Sequence, residues 1–216
     1  MQFPLLERHT ISYNKHPSVH NKTKRLIDIL GALVGLIITA ILLLPLAFII
    51  KLETPGPVLY SQIRCGLNGQ KFRIWKFRSM VSNADELKPL VENEATGHIF
   101  KNRNDPRVTR IGQFLRRTSL DELPQFWNVL TGEMSLVGTR PPTPDEVKNY
   151  TDYHRKRLLV KPGMTGEWQA NGRSTVEDFD AIVRMDLLYQ RKWSVTYDLL
   201  LIFKTIQVVF QKQGAY

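Results

Sequence analysis

The 22 residues from Ile29 to Ile50, ILGALVGLIITAILLLPLAFII, carry no charge. Coiled as a helix they extend about 33 Å, close to the thickness of a bilayer's hydrocarbon core. This run constrains the chain more than any other segment. In hydrocarbon a lone segment satisfies its own backbone hydrogen bonds only as a helix. A cleaved signal peptide does not fit, because the run begins late, is too long for a signal core and has no small-x-small site after it.

Pro45 removes one backbone donor and crowds the turn before it, so a kink is expected around Ile41 to Leu44. Proline also occurs in ordinary spanning helices. Lys22, Lys24 and Arg25 precede the run, and Lys51, Arg64, Lys71, Arg73, Lys76 and Arg78 follow it. Positive residues favour the cytoplasmic side. With both flanks positive, the simplest arrangement puts both ends on that side, which a bent, re-entrant helix does and a straight one does not. On these grounds alone the spanning and re-entrant forms both stay open.

The chain has 216 residues, 43% of them apolar, and a net charge of +10. That is enough apolar content for a core and argues against wholesale disorder. The charge favours an anionic partner, whether nucleic acid, an acidic membrane surface or a phosphorylated substrate. The one cysteine, Cys65, excludes an intrachain disulfide and reads as a small, partly buried residue in a turn-like stretch.

Three regions follow: a polar arm at 1–21, a membrane helix at 22–52 and a region of single-domain size at 53–216. ETPGPV ends the membrane helix. KFRIWKFRSM, Lys71 to Met80, alternates as a strand whose basic side could face phosphates. SNADELKPLVENEA reads as a helix capped by Ser82 or Asn83, and IGQFLRR as another. The prolines of VGTRPPTPDE keep that stretch extended. STVEDFDAIVRMDLLYQRKW opens on a capping box, Ser174 and Glu177, before an amphipathic helix. TYDLLLIFKTIQVVFQK is a further amphipathic helix, for the core or for the lipid interface.

Within RRTSLDELPQFWNVL two acids, Asp121 and Glu122, stand side by side. Proline is tolerated in a helix's first turn, so Pro124 predicts a helix starting near Asp121, capped by Ser119 or Asp121 itself. Acids at such a position often do no more than stabilise the helix. Here the helix end and Arg116, Arg117 and Arg140 would also keep Asp121 ionised. An ionised carboxylate can attack phosphorus or hold magnesium, and the arginines suit a diphosphate. No Walker-type or dinucleotide glycine pattern appears, and the five scattered histidines form no metal motif.

The segments KRLIDIL, WKFRSM, RRTSLDELPQFWNVLTGEMSLVGTRP and KPGMTGEWQANGR occur in an order and spacing that resembles the monotopic bacterial phosphoglycosyl transferases, or bacterial sugar transferases, over Lys24 to Val209. The resemblance implies an α+β, mostly helical fold: a re-entrant membrane helix broken at Pro45 and a small cytosolic catalytic domain with interfacial amphipathic helices. It implies transfer of sugar-1-phosphate from a UDP-sugar to a polyprenyl (undecaprenyl) phosphate at the cytoplasmic face of a bacterial inner membrane. UMP is released, and a surface glycan such as an exopolysaccharide or O-antigen is begun. Asp121 matches the family's nucleophile, which carries the phosphosugar covalently, and Glu122 the glutamate that helps bind Mg2+. Arg116 and Arg140 resemble arginines near the phosphates, with Lys76 and Arg173 on the same wall. The implied partners are a UDP-sugar, a polyprenyl phosphate and membrane lipid, not nucleic acid; a homodimer is left open.

Two positions depart from the family pattern. Leu44 replaces the serine that often precedes the helix-breaking proline, and Thr139 replaces the first proline around Arg140. The multi-helix region of larger members is not in this sequence, as expected of a minimal catalytic form. The competing expectation is a basic, membrane-tethered protein that binds nucleic acid or anionic lipid, with the acids serving only as caps. A re-entrant helix predicts that tags at the two chain termini are reached from the same side of the membrane; labelling from opposite sides would establish a spanning helix.

Overall fold

The computed structural model describes residues 16–98, 100, 102, 104–171, 176 and 178–210. Residues 1–15 of the expected arm, the Ser174 and Glu177 capping box, and Arg173 lie outside them. In chain order the elements are α1 (Pro17–His20), α2 (Lys22–Glu53), the strands β1 (Leu59–Cys65) and β2 (Lys71–Phe77), α3 (Ala84–Leu87) with a 3-10 turn at Lys88–Leu90, and α4 (Arg110–Arg117). A 3-10 stretch, Leu120–Gln125, leads into α5 (Phe126–Thr131), followed by β3 (Ser135–Val137), α6 (Pro144–Lys148) and α7 (Asp152–Arg155). After a 3-10 turn at Lys156–Leu159 come β4 (Gly163–Thr165), α8 (Glu167–Asn171), α9 (Phe179–Lys192) and α10 (Val195–Phe210). The fold is α+β and mostly helical.

Helix α2 is 32 residues long, about 48 Å, and stays helical through Pro45. Among the described residues it is the one helix long and apolar enough to cross a membrane, and only 17% of its most apolar window is buried. It is therefore not the central helix of a soluble core. One narrow stripe, recurring every three or four residues, docks on the rest of the chain. At the start of the stripe Lys24 Nζ donates to Val137 O at 3.0 Å and pairs with Asp198 Oδ2 at 2.6 Å. Asp28 accepts from Ser135 Oγ and the Leu136 amide, both at 2.9 Å.

Farther along, Ala32 joins a buried cluster with Phe72, Ile74, Val129 and Met134. Gly35 lets the helix meet the Phe126 ring, which lies 2.3 Å from where a Cβ would sit. Thr39 Oγ1 donates to Leu123 O at 3.2 Å. Leu46 and Ile50 bury against Phe77 and Leu115. At the end Glu53 caps α4, accepting from the Arg110 amide at 2.7 Å and the Ile111 amide at 3.1 Å. The opposite face, from Leu26 to Leu52, presents exposed Leu, Ile, Val and Phe.

Strands β1 and β2 form an antiparallel hairpin in register from Leu59↔Phe77 to Cys65↔Lys71. Asn68 and Gly69 both adopt positive φ, 53° and 78°, at its turn, the backbone hand that tight hairpins favour. Strands β3 and β4 pair in parallel, Ser135↔Gly163 and Val137↔Thr165. Gly138 permits that contact, since a Cβ there would lie 2.2 Å from Lys161 O.

Several expectations are corrected. The expected helix after Ser82 is cut to one α-turn and a 3-10 turn, with Pro89 inside the latter and no side-chain cap from Asn83. Pro144, Asp145 and Glu146 are helical rather than extended, because Pro144 takes a first-turn position and Thr143 with Glu146 forms a capping box. Helix α9 is capped by Asp178, which accepts from the Asp180 and Ala181 amides. Helix α10 gives Leu201, fully buried, to the core, as one of its two alternatives expected, and leaves Leu199, Leu200, Phe203 and Ile206 exposed.

Replacing Lys24 with Met leaves the buried Asp198 carboxylate without its cation. The expected cost is about 3 kcal/mol, read as a lowered unfolding midpoint of the detergent-solubilised protein; an unchanged midpoint would show that this contact does not anchor α2.

Candidate active site

A cleft of about 670 Å³ opens beside the β1–β2 hairpin and is lined by residues from β1, β2, α4, the Leu120–Gln125 stretch and α6. Its acids are presented by an abrupt change of direction. Helix α4 ends at Arg117, and Ser119 takes a left-handed conformation with φ of 56°. Such backbone is uncommon outside glycine and concentrates at functional sites. Pro124 has no N–H to give to Leu120, so no α-helical ring closes over the acids. The chain runs instead as a 3-10 helix from Leu120 to Gln125, and α5 begins only at Phe126. Asp121 and Glu122 thus lie in the first turn of a tight helical lead-in, not of an α-helix, and no side-chain cap comes from Ser119.

Asp121 is 5% exposed. Lys76 reaches in from β2, its Nζ 2.7 Å from Glu122 Oε1 and 3.8 Å from Asp121 Oδ2. Arg116, on the last turn of α4, donates from Nε to Ser79 Oγ at 3.0 Å. Burial lowers its pKa, while the nearby Asp121 charge acts in the opposite direction. Arg140 comes from the loop after β3 and pairs with Glu146 at 3.3 Å. The backbone of that loop rests on Arg157, which is 1% exposed and bonded from Nε to Asp186 at 2.8 Å and from Nη1 to the Tyr150 hydroxyl at 2.8 Å. Arg157 Nη2 in turn donates to Arg140 O at 3.4 Å.

The cleft therefore brings together Lys76, Arg116, Asp121, Glu122 and Arg140. Other cations expected near phosphates serve elsewhere. Arg117 is exposed and does not line the cleft. Arg78 lines it, but its guanidinium holds the turn after α2, donating to Pro55 O at 2.6 Å and Thr54 O at 2.7 Å. Arg73 bonds Ser61 on the exposed side of the hairpin. Cys65 is buried, and burial pushes its thiol up, so it behaves as the packing residue that its setting implied.

Three contributors had not been singled out: Arg64 in the cleft, Glu146 beside Arg140, and the Arg157–Asp186 support. Arg64 was legible in part, because the two-residue alternation of a strand puts Tyr60, Gln62 and Arg64 on one face; all three line the cleft.

No group of three or more His, Cys, Asp or Glu side chains able to hold a metal occurs among the described residues. A single carboxylate pair suits a magnesium ion that draws its other ligands from substrate phosphates and water. The donor set of Asp121 and Glu122 fits that mode and no all-protein cage.

The bacterial sugar transferase family matches residues 19–212. The galactosyl transferase CpsE of Streptococcus agalactiae serotype III is 48% identical over 208 residues, covering 95% of this chain and 46% of that protein. The undecaprenyl-phosphate galactose phosphotransferase of Salmonella typhimurium is 44% identical, covering 89% of this chain and 41% of that protein. The exopolysaccharide production protein ExoY of Rhizobium meliloti is 41% identical, covering 89% and 88%. The chain belongs to the bacterial sugar transferase family. It spans less than half the length of the first two relatives and most of the third.

Gly112 of α4 packs directly on Ser79, where an added Cβ would lie 1.9 Å from the Ser79 carbonyl oxygen. Gly112→Ala is expected to push α4 off β2's exit and displace Arg116. The expected cost is about 1–3 kcal/mol of stability and most of the turnover. Wild-type values for both would show that α4 tolerates the shift.

Proposed function

We propose that the protein is a membrane-associated phosphoglycosyl transferase that moves sugar-1-phosphate from a UDP-sugar to a polyprenyl phosphate. The single observation that carries the reading is a nearly buried carboxylate, Asp121, set in a cleft rich in cations. A surface that only binds anions gains nothing from a buried acid among its cations, since that acid repels the ligand. An acid that becomes esterified to phosphorus during the reaction has a reason to be there. Relatives named as sugar phosphotransferases support the same substrate class.

In the first half-reaction an Asp121 carboxylate oxygen attacks the sugar-bearing phosphorus. The bond from that phosphorus to the bridging oxygen breaks, and UMP departs with the electron pair. In the second half-reaction an oxygen of the lipid phosphate attacks the same phosphorus, and the Asp121 ester bond breaks to restore the carboxylate. Two easier displacements replace one difficult meeting of a soluble donor with a lipid acceptor. Lys76 orients the acids, and Arg116 and Arg140 hold phosphate oxygens. Glu122 is the residue to hold Mg2+, which when bound supplies charge neutralisation on the diphosphate.

The docking of α2 along its whole length supports a re-entrant seat. Both ends of the helix are tied to one folded domain, at Asp198 and at the start of α4. A helix standing across the bilayer would draw that domain's charged cleft toward hydrocarbon. The exposed apolar side of α2, with Phe114 and Trp127 nearby in sequence to the site, suits the inner face of a bacterial inner membrane.

Incubation with UDP-sugars and Mg2+, without lipid acceptor, is expected to add one sugar phosphate to Asp121, seen by intact mass and peptide mapping. Asp121→Asn is expected to lose adduct and transfer by at least about 10³-fold, and Glu122→Ala to show its main defect in Mg2+ dependence. Full activity of Asp121→Asn would overturn the assignment.

A further inference from the structure

Most cations lining the cleft already have a structural or acidic partner. Lys76 holds Glu122, Arg140 pairs with Glu146, Arg107 is bonded to Asp105, and Arg78 binds two carbonyls. Arg64 differs. Its Nη1 donates to Pro141 O at 3.1 Å and its Nη2 to Gln62 Oε1 at 2.7 Å. Its Nε is buried with no acceptor, as is that of Arg78; the difference is that Arg78 grips the Thr54–Pro55 turn beyond α2, whereas Arg64 grips the loop that carries Arg140. Among the described residues no carboxylate forms an ion pair with it, and the Pro141 carbonyl that it grips follows Arg140 in the chain. Burial, then the like charge of Arg140, lowers its pKa to about 10, so it remains a cation at neutral pH. A desolvated guanidinium beside a second one, with a donor left over, is costly by itself and is matched by a phosphate, which takes several charge-assisted hydrogen bonds at once.

Its place along the hairpin narrows which phosphate. Lys76 stands opposite Tyr60, and Arg64 stands opposite Phe72. The two pairs are four residues apart, about 13 Å along the strand. Arg64 and Arg140 direct their hydrogen bonds to Gln62, Pro141 and Glu146, not to the acids. In the reaction proposed above, on which this inference rests, negative charge develops on two leaving oxygens. One belongs to Asp121 in the second step, and Lys76 is beside it. The other belongs to departing UMP in the first step, and stabilising charge must be waiting there.

We infer that Arg64, together with Arg140, clamps the phosphate of the donor's nucleotide half and stabilises it as it leaves. Arg64 is then a substrate-contacting residue of the first half-reaction.

The test compares UMP with uridine on the full chain in detergent or nanodiscs, by calorimetry or by inhibition of turnover. Arg64→Gln is expected to bind UMP about tenfold weaker or worse, with uridine affinity and the KM for polyprenyl phosphate unchanged, and Arg64→Lys to recover part of the loss. Unchanged UMP affinity overturns the inference. So does a parallel loss for uridine, which marks a structural role, and so does a defect confined to the lipid acceptor. If Arg64→Gln does not fold, Gln62→Leu carries the test, because it frees Nη2 without removing the charge. It should weaken UMP by a smaller factor and leave uridine unaffected; no difference between the two ligands overturns the clamp. Failure of the underlying reaction looks different, since the wild-type protein then releases no UMP from any UDP-sugar.

Discussion

A helix that is apolar on every side but one must satisfy two solvents at once, and the narrow docking stripe of α2 is how this chain does it. Lys24, Asp28, Thr39 and Glu53 place polar contacts along a helix whose remaining faces are apolar and exposed. Polar groups facing hydrocarbon would be expensive; turned inward, each finds a partner on the folded domain. The same contacts set the site. Glu53 caps the helix that carries Arg116, and Leu46 and Ile50 pack under Phe77 and Leu115. The apolar helix is therefore a structural wall of the folded domain that carries the cleft.

The positive charge of the chain divides into two uses. Some cations tie backbone ends: Arg25 donates to Val129 O at 2.8 Å and Leu130 O at 2.7 Å, closing α5, and Arg78 closes α2. Others line the cleft, with Lys76 beside Glu122 and Arg140 beside Glu146. Net charge alone could not separate these uses, because a guanidinium that caps carbonyls and one that lines a cleft read alike. What separates them is the acceptor inventory around each group.

This division also explains what was legible in the sequence. The apolar run, the strand at Lys71, the helices at IGQFLRR and TYDLLLIF, and the paired acids all rest on periodicity or adjacent residue types, which are local. The loss of helix after Leu87, the helical turn at Pro144, and the left-handed Ser119 depend on which proline position wins against neighbouring caps. The Arg157–Asp186 pair joins residues 29 apart in sequence, and no local pattern announces it. Arg64 sits between these cases, since its face followed from strand alternation but its burial beside Arg140 required the β3 loop to fold back.

Adjacent acids on this particular turn have a further consequence. In a 3-10 helix successive side chains diverge by about 120°, so neighbours in sequence enter different surroundings. The Asp121 side chain is 7% exposed and that of Glu122 27%, with Lys76 between them. The buried member has little water competing for its oxygens, which suits a nucleophile. The more open member can share its oxygens with hydrated ligands, which suits a site for an ion that keeps its waters. Moving the pair onto a regular α-helix would narrow that divergence to about 100° per residue and restore the N–H bond that Pro124 forbids. The proline and the left-handed serine thus act together: they give two chemically similar carboxylates unlike environments only one residue apart.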